Sequence, residues 1–201
     1  MAQINGIIPP QSFEVVHDRI GAILTTELEN QVLLTMDYDL EVDIYKERDI
    51  PLNEGEFRCV NVILERDDFS GQHQGQTNGT CRYVIEVTVD AKSKNNTLGD
   101  TIAMNKCQKI IGKIRAILED PKYKTLGFAP PFIWNRHVEN VYFGKPIKQD
   151  TKHVVMGRVT FVVKMSENSD LIDNLVTLYE NLTTVKLELT DKGYIWIGRS
   201  Y

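Results

Sequence analysis

Apolar residues recur at helical spacing in two places along the chain. In the first, Phe13, Val16, Ile20, Ile23, Leu24 and Leu28 fall at intervals of three and four, with His17, Asp18, Arg19 and Glu27 between them. The spacing predicts an amphipathic helix of about 18 residues. Ser12 is its expected N-cap, Glu14 lies in the first turn where the helix dipole favours an acid, and Pro9 and Pro10 punctuate the approach. In the second, Ile102, Ala103, Cys107, Ile110, Ile111, Ile114, Ile117 and Leu118 recur while Lys106, Lys109, Lys113 and Arg115 take the remaining positions. Asp100 or Thr101 is its expected cap, and Pro121 ends it.

Between and after these helices the period drops to two. Asp39–Tyr45 alternates strictly, Leu40, Val42 and Ile44 against Asp39, Glu41 and Asp43, and predicts a half-buried strand with an acidic outer face. Phe57–Glu65, Arg82–Ala91, Phe132–Phe143 and Val154–Met165 are the further strands. Val154–Met165 is apolar on both faces except at Arg158, Thr160 and Lys164, so it is expected in the middle of the sheet. Gly157 within it marks a bulge or a close backbone approach. Further on, Ser169 or Asp170 caps an expected third helix with Leu171, Leu175, Leu178 and Tyr179 inward, and Asp191-Lys192-Gly193 turns a closing hairpin.

Strands that follow one another without helices between them argue against a parallel α/β sheet. The expected fold class is α+β: an antiparallel sheet with two amphipathic helices packed on one face, plus a C-terminal helix–hairpin extension. The division is a compact domain over 1–165 and an extension over 166–201.

One stretch fits neither period. Asp67–Thr80 reads DDFSGQHQGQTNGT between two strand candidates. A phosphate loop places its glycines where a strand enters a helix, with backbone N–H groups aimed at the anion. This stretch leads into a strand, and Gly71, Gly75 and Gly79 fit neither G-x-x-x-x-G-K nor G-x-G-x-x-G. It is expected to be a polar β-hairpin arm over 67–80 that becomes ordered against a neighbouring subunit. Asp68, Phe69, Gln72, Gln74, Gln76 and Asn78 are its candidate interface residues.

Composition narrows the picture. With 201 residues, 42% of them hydrophobic, the chain can bury a core without metal or disulfide support. Its 23 basic and 28 acidic side chains give a net charge of −5, with no basic cluster of the kind that holds a phosphate backbone. Such a surface suits DNA that passes without sticking. Cys59, Cys81 and Cys107 are far apart and odd in number, the usage of buried thiols in a reducing compartment. The start MAQINGIIPP has no positively charged region before an apolar run, and no membrane-spanning stretch is expected.

Candidate chemistry is sparse. His17, His73, His137 and His153 form no metal-ligand spacing, and His137 with Glu139 reads as a cross-strand polar pair. Cys107 sits on the apolar face of a helix, where a thiol is inert. The carboxylates Asp39, Glu41 and Asp43 share a strand face, and paired carboxylates can do acid–base work. Their use by a small cytosolic α+β enzyme or nucleotide-binding domain is the alternative function. Tyr45, Tyr83, Trp134 and Tyr142 are stacking candidates for RNA, on strands that also carry many acids.

An opening amphipathic helix, strands with a long hairpin tip, a second helix stopped by proline and then paired strands resemble the tail terminator and neck (head–tail connector) proteins of tailed bacteriophages. SFEVVHDRIGAIL looks like their opening helix, and GDTIAMNKCQKIIGKIRAILEDPKY followed by VVMGRVTFVVKM looks like their second helix and succeeding strand. The likeness covers about residues 12–165. It implies a non-enzymatic structural protein without cofactors that closes into a hexameric or larger homo-oligomeric ring. The implied partners are other tail, neck or portal proteins, with DNA only a transient passenger in the lumen. The implied location is the virion, after assembly in the host cytoplasm.

Overall fold

A computed structural model describes residues 10–48, 58–73, 76–94, 97–149 and 151–166. The expected third helix, the closing hairpin and the rest of 167–201 lie outside the described residues.

The fold is α+β, with, among the described residues, two helices on one face of a six-stranded, mostly antiparallel sheet. In chain order the elements are α1 (Ser12–Thr35), β1 (Asp43–Lys46), β2 (Cys59–His73), β3 (Gln76–Ala91), α2 (Gly99–Glu119), β4 (Ile133–Phe143), β5 (Ile147–Gln149) and β6 (Lys152–Ser166). The sheet order is β1-β2-β3-β6-β4. β5 pairs with β6 beyond the end of β4, on the same side of β6. The Val154–Met165 strand is therefore interior, as its two apolar faces predict. β1 runs parallel to β2, and every other pairing is antiparallel.

The alternation of side chains builds one core. Val60 and Val62 of β2, Cys81, Tyr83, Ile85, Val87 and Val89 of β3, and Val155, Val159, Phe161, Val163 and Met165 of β6 point towards the helices and are buried. Val16, Ile20, Leu24 and Leu28 of α1, with Cys107, Ile110, Ile111 and Ile114 of α2, close over them. Gly157 lets α2 approach the sheet: a Cβ there would lie 2.3 Å from Ile111 Cδ1 and 2.9 Å from Cys107 Sγ. It is a close backbone approach of the kind its position in the sequence suggests.

Several expectations need correction. α1 has 24 residues, not about 18, because nothing in Glu29–Thr35 breaks it. Its cap is Gln11, whose side chain and that of Glu14 form a capping box, and Ser12 is instead the first helical residue. Met36, in the left-handed region at φ 52°, closes the helix with an N–H to Val32 O bond of 2.8 Å. The strand expected over Asp39–Tyr45 is also shorter. Asp37 accepts a hydrogen bond from the Asp39 N–H at 3.1 Å, and this holds Tyr38–Leu40 in a 3-10 turn, so extended structure begins only at Asp43.

The face of the sheet turned away from the helices is a lattice of charged pairs. Arg82 reaches Glu139 at 3.0 Å and Glu65 at 3.8 Å, Arg158 reaches Glu86 at 2.7 Å, and Lys152 reaches Asp90 at 2.7 Å. At the far end of α2, the Arg136 guanidinium donates to the carbonyls of Leu118 and Asp120, satisfying acceptors that the helix terminus leaves open.

Candidate assembly surfaces

The expected arm is a hairpin, but most of 67–80 is ladder rather than loop. Asp67 pairs with Cys81, Asp68 with Thr80, Phe69 with Gly79 and Ser70 with Asn78. On its other side β3 stays paired with β6 up to Asn78, opposite Ser166. Beyond these positions the ladder continues within the hairpin, with His73 opposite Gln76. The composition DDFSGQHQGQTNGT reads as loop because it lacks apolar side chains, yet a ladder is made by backbone N–H and C=O groups whatever the side chains.

The candidate arm residues are therefore distributed. Asp68 pairs with Arg66 at 2.7 Å, Phe69 is 61% exposed, and Asn78 is half-buried inside the sheet. Gln72 and Gln76 lie on β2 and β3 by their backbone, and Gln74 falls outside the described residues. Asp67 points to the helix side opposite Cys81. Among the described residues its carboxylate has only the Cys81 thiol beside it, and burial raises its pKa.

The acidic trio is not one strand face. Asp39, in the 3-10 turn, is held by Lys106 at 2.8 Å and lies 3.7 Å from Lys109. Lys109 also bonds Asp37 at 2.8 Å, which lowers the Asp37 pKa and raises that of Lys109. Glu41 and Asp43 remain exposed at the rim of the sheet. Of the stacking candidates, Tyr83 is buried in the core with its hydroxyl donating to Phe13 O at 3.0 Å, while Trp134 and Tyr142 are exposed. His137 and Glu139 do not pair, since a bulge separates them and Glu139 turns to Arg82. Among the described residues no three His, Cys, Asp or Glu side chains gather as metal ligands, and no helix is long and apolar enough to cross a membrane.

His17 was expected among the polar positions of α1, but it is buried against the sheet. Its Nε2 lies 2.9 Å from Val62 O and so carries the donated proton, and Glu47 Oε1 is 3.5 Å away. The Glu47 N–H also bonds Val62 O, and its carboxylate accepts from the Leu64 N–H. These contacts close the β1 side of β2 just where β1 ends.

What the sequence did not disclose is how the outer strands are left. β1 and the β4–β5 line are the two borders of the sheet, and among the described residues neither has a strand on its outer side. Among the described residues, eight of the ten exposed large apolar side chains lie towards these borders. Leu33 and Leu34 are on the last turn of α1 and Met36 and Tyr38 on the segment that follows it, while Trp134, Tyr142, Phe143 and Ile147 are on β4 and β5. Beside β1 a groove of about 450 Å³ opens between Leu28, Val32 and Leu33 of α1 and Leu40, Val42 and Ile44. Unpaired strand borders with apolar flanks are templates for another chain. The chain matches no model of a known protein family, and no curated protein matches it.

Proposed function

We propose that this chain is a structural subunit of a tailed-phage virion that assembles with copies of itself into a ring at the tail end or the head–tail neck, with DNA passing through the lumen. The observation that carries the assembly part is the pair of open sheet borders, each flanked by exposed apolar side chains. Two different sticky borders on opposite sides of one subunit favour head-to-tail association, the geometry that generates rings. The β2–β3 hairpin, with Phe69 61% exposed near its end, adds a further surface that a neighbour could cover. The placement in a virion rests on the resemblance of the element order to tail terminator and neck proteins.

Mass spectrometry of purified particles tests the placement, and light scattering of the purified chain tests the assembly. The chain is expected at a fixed, low copy number per particle, and as a discrete oligomer in solution. A chain missing from every particle and monomeric at high concentration would refute the reading.

A further inference from the structure

The two borders match in height along the strands. At one end of β1, Asp43 aligns with Cys59, Cys59 with Thr88, and Thr88 with Met156. Met156 O in turn accepts the Gly144 N–H. At the other end, Lys46 aligns with Val62, Val62 with Ile85, Ile85 with Val159, and Val159 with Val141. One row of the sheet thus begins at Asp43–Lys46 and ends at Val141–Gly144.

Direction matches as well. β1 is parallel to β2, and the three antiparallel steps from β2 to β4 make β4 antiparallel to β1. Asp43 donates its N–H inward to Arg58 O and Glu47 donates inward to Val62 O, so the backbone groups of Ile44 and Lys46 face outward. Among the described residues no strand pairs with them on that side.

Charge matches too. Glu29, Glu41 and Asp43 line the groove at the β1 border, whereas exposed Lys145 and Lys148 flank the β4–β5 border. Antiparallel pairing at equal height sets Asp43 beside Gly144, and so carries Glu41 towards Pro146–Lys148. The acidic stretch of one copy then runs beside the lysine-bearing stretch of the next, and Ile44 lies opposite Phe143 on the helix side.

We infer that the β1 border of one copy adds as a strand to the β4–β5 border of the next, antiparallel and without a shift along the strands. This rests on the assembly reading above and names its joint. Equal height means no translation per copy along the strand direction, as a closed ring with its axis along the strands requires and an open helix does not.

The test uses the full chain and two charge-reversed variants, Glu41→Lys/Asp43→Lys and Lys145→Glu/Lys148→Glu, each followed by light scattering. All four positions are exposed. Each variant alone should associate about tenfold more weakly or worse. An equimolar mixture should regain the wild-type oligomer, because each variant keeps one native border and the reversed borders complement each other. As a second measurement, the variant Tyr45→Cys/Tyr142→Cys, whose positions this register sets directly opposite each other on one face, should form a disulfide-linked ladder of copies under oxidising conditions that disappears on reduction. A wild-type oligomer that neither charge variant weakens, or the absence of that ladder, overturns the joint while leaving assembly intact. A wild-type chain that stays monomeric overturns the assembly reading itself.

Discussion

Gly157 lies directly beneath Ile111, so close that a Cβ on the glycine would sit 2.3 Å from the isoleucine Cδ1. The glycine is what lets α2 settle on β6 at the centre of the core. Gly157→Ala should destabilise the fold by about 1–3 kcal/mol, the usual cost of forcing an extra methyl into a packed interior. Denaturant melts would read this as a fall in midpoint. Ile111→Val removes the Cδ1 atom, so the double variant should recover part of the loss. If Gly157→Ala melts like the wild type, α2 does not approach β6 this closely.

Glu86 and Arg158 face each other directly across the β3–β6 ladder, with oxygen and nitrogen 2.7 Å apart. The glutamate side chain is 8% exposed and the arginine 53%. Replacing Arg158 with Leu strands a buried carboxylate and should cost about 1–3 kcal/mol, below the full cost for a buried pair because one partner is wet. Glu86→Gln in the same chain should restore much of it. A double-mutant cycle with coupling near zero would show that the pair is held by its neighbours rather than by each other.

Asp67 is the weak point of the arm's base. Burial raises its pKa above the ordinary 3.8, and Cys81 opposite offers only a thiol. The fold therefore prefers the protonated acid: its favourable contribution is complete below the ordinary pKa and is lost as pH rises through the raised one. Asp67→Asn, a neutral stand-in for the protonated form, should be more stable than the wild type near neutral pH. The difference should fade towards a pH of about 3. Urea unfolding at a series of pH values checks both ends of that expectation. A variant less stable than the wild type near neutrality contradicts it.

At the alkaline end Cys107 plays the corresponding part. Burial pushes its thiol from 9.0 to about 11. Its contribution is whole below the unfolded value and is lost as pH climbs through the folded one, so stability should decline between about pH 9 and 11. Cys107→Ala leaves a small cavity but should show a flatter decline over the same interval. Thiol-reactive dyes should label none of the three buried cysteines until the chain unfolds.

How much of this was legible beforehand divides by physical cause. The interior position of β6 and the close approach at Gly157 follow from alternation and from one glycine among β-branched residues, both local signals. The two helices on one face follow from their periodic stripes. Asp39–Tyr45 misled because its alternation is genuine, Leu40 being buried, while the Asp37 cap and the Lys106 and Lys109 pairs curl the first half into a turn. His17 reads as polar, but Val62 O supplies the partner that lets it be buried. The assembly borders could not be read at all. Glu41 and Lys148 become features of opposite borders only once the strand order is known, and no local pattern encodes the parallel β1–β2 pairing.

The hairpin tip supplies the last prediction. Ser70 and Asn78 pair within the sheet, and among the described residues of 71–77 the ladder pairs only β2 with β3. Replacing 71–77 with a two-residue Asn-Gly turn should let Ser70 and Asn78 join across a tight hairpin, since that dipeptide suits the twist of paired strands. Two-stranded ribbons add little stability of their own in water, so the monomer's melting temperature should move by only about 2–4 °C, equivalent to roughly 1 kcal/mol for a chain of this size. Assembly should suffer far more if the tip contributes to the joint between copies proposed above. A drop in melting temperature several times larger would place the tip in the fold's own support. Unchanged oligomers from a normally folded deletion variant would remove the tip from the interface and leave the β1 and β4–β5 borders to carry the joint alone.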